Sequence, residues 1–91
     1  MVNNTINLQL NLYSTAHCHL CEMAFGMITK LTQHIIFANN IALNVVEICD
    51  DDVLLNQYGK YIPVLQRLDT MNELHWPFTD ETIIQFITNC Q

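Results

Sequence analysis

Between Ile6 and Tyr13 apolar and polar residues alternate. Ile6, Leu8, Leu10 and Leu12 fall on one face of an extended segment, and Asn7, Gln9 and Asn11 fall on the other. That period of two predicts a strand with one face against a core and the other only partly covered. Further on the period changes. Ala24, Met27, Ile28, Leu31 and Ile35 recur at three- and four-residue spacing, the buried stripe of a helix, until Asn39-Asn40 breaks it. Met23 and Met27 share the helical spacing and are read as core contacts. Ile41 to Ile48 predicts a second strand, and the helical crossover before it is long enough to make the two strands parallel.

Asp50-Asp51-Asp52 supplies an N-cap and an acidic first turn for a short helix through Tyr58, with Gly59 placed to end it in a left-handed conformation. Ile62 to Leu68 and Glu73 to Trp76 read as strands around a turn at Asp69 to Asn72, a hairpin. Pro77 stops the second of these, and Thr79 caps a helix whose apolar face is Ile83, Ile84, Phe86 and Ile87. Trp76, Pro77 and Phe78 form a packing corner. Tyr13 and Tyr61 are read as packing residues, with the lining of a groove as their alternative role. The predicted order is β-α-β-α-β-β-α: an α/β chain with a mixed four-stranded sheet flanked by helices, residues 1–91 forming one domain.

Composition narrows the partners. Apolar residues make up 51% of the chain and glycine and proline number two each, which describes a folded protein rather than a disordered segment. Nine carboxylates oppose three basic residues for a formal charge of −6, against any nucleic-acid partner and against adhesion to anionic membranes. No apolar run approaches the roughly 20 residues that span a bilayer. The charge is read first as a source of solubility. Met1 to Thr5 lacks the basic cluster and apolar core of a leader peptide, so the expected location is the cytoplasm, with thiols reduced at rest. Nothing in the sequence demands more than a monomer.

The chemistry concentrates at Cys18-His19-Leu20-Cys21, on the junction between the first strand and the first helix. Two thiols three residues apart at such a junction read as a redox pair. There the Cys18 sulfur can sit against the helix's free N–H groups, whose partial positive charge favours thiolate over thiol. His17 and His19 flank it. Imidazole has an ordinary pKa near 6.5 and is mostly neutral at pH 7, so the helix terminus contributes more steadily than either histidine. Both are read as solvated residues whose functional alternative is tuning of Cys18. His17, Cys18, His19 and Cys21 are also ligand types for zinc, but structural zinc draws four ligands from two separated pairs and the second pair is missing. Cys49, at the end of the second strand, reads as a small packed residue, with an auxiliary thiol as the alternative. Cys90 is read as incidental. Against an enzyme stands one competing class, a non-enzymatic module whose CxxC binds metal or responds passively to redox state.

The element order, the CxxC at the first strand–helix junction and Ile62-Pro63-Val64 opening the hairpin together resemble the thioredoxin fold. More narrowly, Leu12-Tyr13, the CxxC, Tyr58-Gly59 to Ile62-Pro63-Val64-Leu65 and Trp76-Pro77-Phe78 look like the small bacterial glutaredoxin-like family. The resemblance implies a thiol–disulfide oxidoreductase. Cys18 matches its attacking cysteine and Cys21 the resolving one. Pro63 matches the cis-proline facing the disulfide, and the Ile62 peptide before it would offer backbone hydrogen bonds to an extended substrate. Tyr61 stands near that segment. Partners would be protein or low-molecular-weight disulfides and a separate thiol donor. No bound cofactor is implied, and glutathione enters as a candidate reductant. Departures matter too: His17 stands where related chains often carry Gly or Pro, and His-Leu replaces the Gly-Pro of thioredoxin and the Pro-Tyr of glutaredoxin, so the reduction potential does not transfer. Glutaredoxins hold glutathione with a basic residue near the CxxC and a Gly-rich turn ending in Asp. Here those places carry Ala16-His17 and Trp76 to Asp80, leaving Thr79 and Asp80 to take the ammonium without a basic partner for the carboxylates.

Overall fold

The computed structural model describes residues 8–33 and 41–88. Strand β1 (Leu8–Ser14) leads into helix α1 (His19–Thr32), strand β2 (Ile41–Glu47), a 3-10 turn (Ile48–Asp50) and helix α2 (Asp52–Tyr58). Strands β3 (Val64–Arg67) and β4 (Glu73–His75) and helix α3 (Asp80–Thr88) follow. The sheet order is β2-β1-β3-β4, with β1 parallel to β2 and antiparallel to β3, and β3 antiparallel to β4. This is the expected α/β order and mixed sheet.

The alternation along β1 decides which face packs against what. Leu8, Leu10 and Leu12 are buried with Leu65 against Ala24 and Ile28 of α1, Phe78, and Ile83 and Ile87 of α3. Leu10 and Leu12 are fully buried, each worth about 1.5–3 kcal/mol relative to exposure. The opposite face has its own cluster. Tyr13, Val64, Ile48 and Tyr58 pack there, with Tyr13 stacked on Tyr58 at 4.1 Å between ring centroids. Further along that face Gln9 is exposed and Asn11 half-buried, the partial cover read from their polarity. The Tyr13 hydroxyl donates to Gln66 Oε1 (2.6 Å) and the Tyr58 hydroxyl to Glu73 Oε2 (2.6 Å). Burial first, and then the Glu73 carboxylate, push the Tyr58 phenol well above its usual range.

Several local expectations give way. The strand expected to run through Ile48 ends at Glu47, because the chain turns there into the 3-10 segment. The cap of α2 is Asp51 alone, whose carboxylate accepts from the N–H groups of Val53 and Leu54. Gly59 is right-handed, with φ −54°. Its constraint is contact rather than handedness: a Cβ there would lie 2.5 Å from the Leu55 carbonyl oxygen, to which the Gly59 N–H already donates. Strand β3 begins after Pro63 and β4 ends before Trp76, and both residues precede or form a cis bond, Ile62–Pro63 and Trp76–Pro77. Met23 is exposed rather than packed, while Met27 does pack on the core. Phe78 is buried with Trp76 edge-on against it, as a packing corner requires. The parts of the reading that rest on Ile6, Asn7, Ile35, Asn39, Asn40 and Cys90 lie outside the described residues.

Candidate active site

Cys18 is the N-cap of α1. Its backbone is extended (φ −99°, ψ 106°), its carbonyl accepts the first helical bond from Glu22 N–H, and its Sγ accepts from Cys21 N–H at 3.2 Å. A sulfur thus occupies the place that a Ser or Asp oxygen usually takes, against donors the helix leaves unpaired. Cys21 lies one turn along at a Cα separation of 5.2 Å, and the two are joined as a disulfide. The sulfurs differ in access: Cys18 is half-buried, and Cys21 is 4% exposed among the core residues. A two-sulfur couple with one accessible member fits a redox role in its geometry as well as its spacing.

The loop entering the helix is held from β2. Ser14 and Glu47 are paired at the ends of the parallel strands. The Glu47 carboxylate accepts from Ala16 N–H (3.1 Å) with one oxygen and from Cys49 N–H (2.9 Å) with the other. The Cys49 N–H first, then the Thr15 hydroxyl and, after an opposing desolvation, the Ala16 N–H hold the Glu47 carboxyl below its usual range. Thr15 Oγ1 also lies 2.9 Å from Cys49 Sγ. Cys49 is an exposed free thiol, so the expectation of a packed strand-end residue fails: the chain leaves the sheet one residue earlier and carries the side chain outward. Between Thr15 and Cys18, His17 has φ 64°, a left-handed conformation unusual for a residue with a Cβ. Both His17 and His19 are exposed.

The other sequence-derived residues gather at the same end of the sheet. Val64 pairs with Tyr13 and with His75, so the segment before β3 and the segment after β4 both lie at the carboxyl end of β1. Pro63 is fully buried, and Ile62 packs on the Tyr13–Tyr58 cluster. The Ile62 N–H already donates to the Tyr58 carbonyl (3.1 Å), so that group is not open to a substrate. Tyr61 is exposed, its ring 5.9 Å from that of His75, whereas Tyr13 is core. Thr79 is committed to capping. Its Oγ1 accepts from Thr82 N–H (3.1 Å) while Thr82 Oγ1 accepts from Thr79 N–H (2.9 Å). Asp80 stands exposed in the first turn of α3.

Two features escape a reading by pattern. An apolar groove of about 320 Å³ opens beside Cys21 between α1 and β2, lined by Leu12, Phe25 and Val45 with Glu22 at its rim. Arg67 is buried, forked onto Asp69 through Nε (3.0 Å) and Nη2 (2.6 Å), and donates through Nη1 to the carbonyls of Phe86 and Ile87 at the end of α3. The Arg67 guanidinium holds the Asp69 carboxyl below its usual range. Among the described residues no helix is long and apolar enough to cross a membrane, and no three His, Cys, Asp or Glu side chains converge as metal ligands.

Two variants test this geometry. His17→Gly is expected to be no less stable than the parent in urea unfolding, whereas His17→Val, whose branched Cβ resists positive φ, loses about 1–2 kcal/mol. Equal stability of the valine variant would contradict the left-handed loop. Glu47, with its carboxyl lowered from an ordinary 4.5, contributes stability that is fully present above that value and lost as pH falls through the lower folded one. The amide proton shifts of Ala16 and Cys49 should therefore titrate together with one midpoint below 4.5, and Glu47→Gln should abolish that transition. Independent midpoints for the two amides would break the clamp.

Comparison with known proteins agrees with this geometry. Residues 9–88 match the model of the Glutaredoxin-like domain (DUF836) family. No curated protein sequence matches the chain. Among solved structures, the chain is similar to the structural genomics target protein XcR50 from X. campestris, at 29% identity and a TM-score of 0.75 over 90% of this chain and 99% of that one. It is also similar to protein Ne2328 from Nitrosomonas europaea, at 25% identity and a TM-score of 0.74 over 94% and 98%. Thioredoxin-2 of the malaria parasite, described as a component of its protein secretion machinery, shares the fold at 19% identity and a TM-score of 0.69 over 99% and 89%. With residues 9–88 matching that family and the sheet in the order its solved relatives share, the chain belongs to the glutaredoxin-like domains of the thioredoxin fold.

Proposed function

We propose that this protein is a thiol–disulfide oxidoreductase in which Cys18 attacks and Cys21 resolves. The observation that carries the reading is the asymmetry of the pair: Cys18 reaches the surface as a helix cap, and Cys21 is buried one turn beneath it. In the reduced protein the Cys18 thiolate attacks a substrate disulfide. A mixed disulfide forms and one substrate thiol leaves. Cys21, already adjacent, then attacks Cys18 Sγ, closes the internal disulfide and releases the second substrate thiol. A separate thiol donor returns the pair to its reduced state, glutathione being one candidate, and no bound cofactor is required.

The surroundings support a protein disulfide as substrate. Leu20 and Met23, 42% and 46% exposed, leave apolar surface beside the first turn of α1, and Tyr61 adds an exposed ring before Pro63. A docked segment would find the Ile62 carbonyl there as a backbone acceptor. His17 and His19, both exposed, flank Cys18. Thr79 is occupied as a cap, which leaves Asp80 as the polar contribution of α3. The cytoplasm, where a dithiol of this kind stays reduced between turnovers, is the proposed location.

Cys18→Ser should abolish reduction of a disulfide such as bis(2-hydroxyethyl) disulfide, a loss of at least about a hundredfold expected from removal of the nucleophile. Cys21→Ser should instead accumulate the mixed disulfide at Cys18, read as an added half-substrate by intact mass. Full turnover by the Cys18→Ser protein would end the oxidoreductase reading.

A further inference from the structure

The carboxylates are not spread evenly. Seven of the nine lie in segments that enter or leave the sheet at the carboxyl end of β1: Glu22 opening α1, Glu47 ending β2, Asp50 to Asp52 around the start of α2, and Asp80 and Glu81 opening α3. The remaining two belong to the β3–β4 hairpin: Asp69 is paired with Arg67, and Glu73 accepts from the Tyr58 hydroxyl and lies 3.1 Å from His75 Nε2. Of the three bases, Lys30 is in the last turn of α1, roughly 18 Å along the helix from Cys18. Arg67 is buried against Asp69. Lys60 alone stands near this end, just before Tyr61. The end of the sheet that carries the disulfide is therefore also the end at which seven carboxylates and one ammonium gather, together with the exposed imidazoles of His17, His19 and His75.

We propose that this field selects the substrate: the site reacts preferentially with disulfides set among positive charges, a basic segment of a protein, and disfavours anionic ones, glutathione disulfide included. The proposal rests on the oxidoreductase reading and names its substrate class. The exchange itself is neutral in atoms and electrons. The Cys18–substrate bond forms as the substrate S–S bond breaks, and the leaving thiolate takes a proton from solvent. The Cys18–Cys21 bond then forms as the mixed disulfide breaks, so two electrons pass from the protein dithiol to the substrate. Charge enters through encounter and through the mixed disulfide, where an anionic half-substrate sits against like charge. Fields of this kind change association rates by about 10- to 1000-fold. They act across about 30 Å at 0.01 M salt and only about 3 Å at 1 M.

Three small disulfides of graded charge test it: cystamine, with two ammonium groups; bis(2-hydroxyethyl) disulfide, neutral; and 3,3′-dithiodipropionate, with two carboxylates. The protein is reduced with dithiothreitol, desalted and mixed with each at pH 8. Each rate is divided by that of the same disulfide with dithiothreitol, which removes intrinsic reactivity. The expected order is cationic, neutral, anionic, with a spread of at least about tenfold at 0.01 M salt that narrows to within about twofold at 1 M. The double variant Asp50→Asn with Asp52→Asn should shrink the low-salt spread at least twofold. Asp51 is left in place because it caps α2. Equal normalised rates, or an unchanged spread in the double variant, overturn the charge selection while the neutral disulfide still reports an active oxidoreductase. Failure of the neutral disulfide to react overturns the oxidoreductase reading itself.

Discussion

One hydrogen bond joins the architecture of this protein to its chemistry: the Cys21 N–H donating to the Cys18 sulfur. It starts α1, and so determines where that helix leaves the sheet. It also places a sulfur among helix N–H groups that would otherwise lack partners. The bond holds its geometry because both of its ends are anchored. Behind it, Leu10 and Leu12 fix β1 in the middle of the sheet. Ahead of it, Ala24 and Ile28 fix the helix against those leucines, so the first turn cannot slide along the strand end.

Between these anchors lies a loop that the core does not reach, and there the structure uses polar bonds. Glu47 grips the loop at Ala16 and the following turn at Cys49 with the two oxygens of one carboxylate. His17 accepts a glycine-like backbone conformation to bring Cys18 into the cap. The arrangement is electrostatically opposed to itself. The thiolate that the proposed mechanism needs at Cys18 would form at the end of the molecule that holds most of its carboxylates, where the N-terminus of α1 supplies a positive partial charge.

The order of elements and both faces of β1 were legible because apolar periodicity reports burial directly, and Leu8 to Leu12 obey it without exception. The CxxC was legible for a different reason: its spacing and its position after a strand carry the same meaning in any chain that folds this way. What stayed hidden depends on partners distant in sequence. Nothing around Arg67 announces that it will be buried, since the carbonyls it serves lie 19 and 20 residues away at the end of α3. Glu47 looks like a strand-end residue until the loop folds over it. Cys49 and Gly59 were misread through local rules: a one-residue shift in where β2 ends turned the thiol outward, and a carbonyl contact, not a left-handed turn, explains the glycine.

The proposed mechanism requires Cys18 and Cys21 to form a working redox couple rather than a structural brace. It is tested most directly by equilibrating the protein in glutathione redox buffers and counting oxidised and reduced forms by intact mass. A working couple passes through one two-electron transition between about −120 and −270 mV, the span of catalytic dithiols. A pair that stays closed below about −300 mV, as structural disulfides do, or one that never closes, would contradict it.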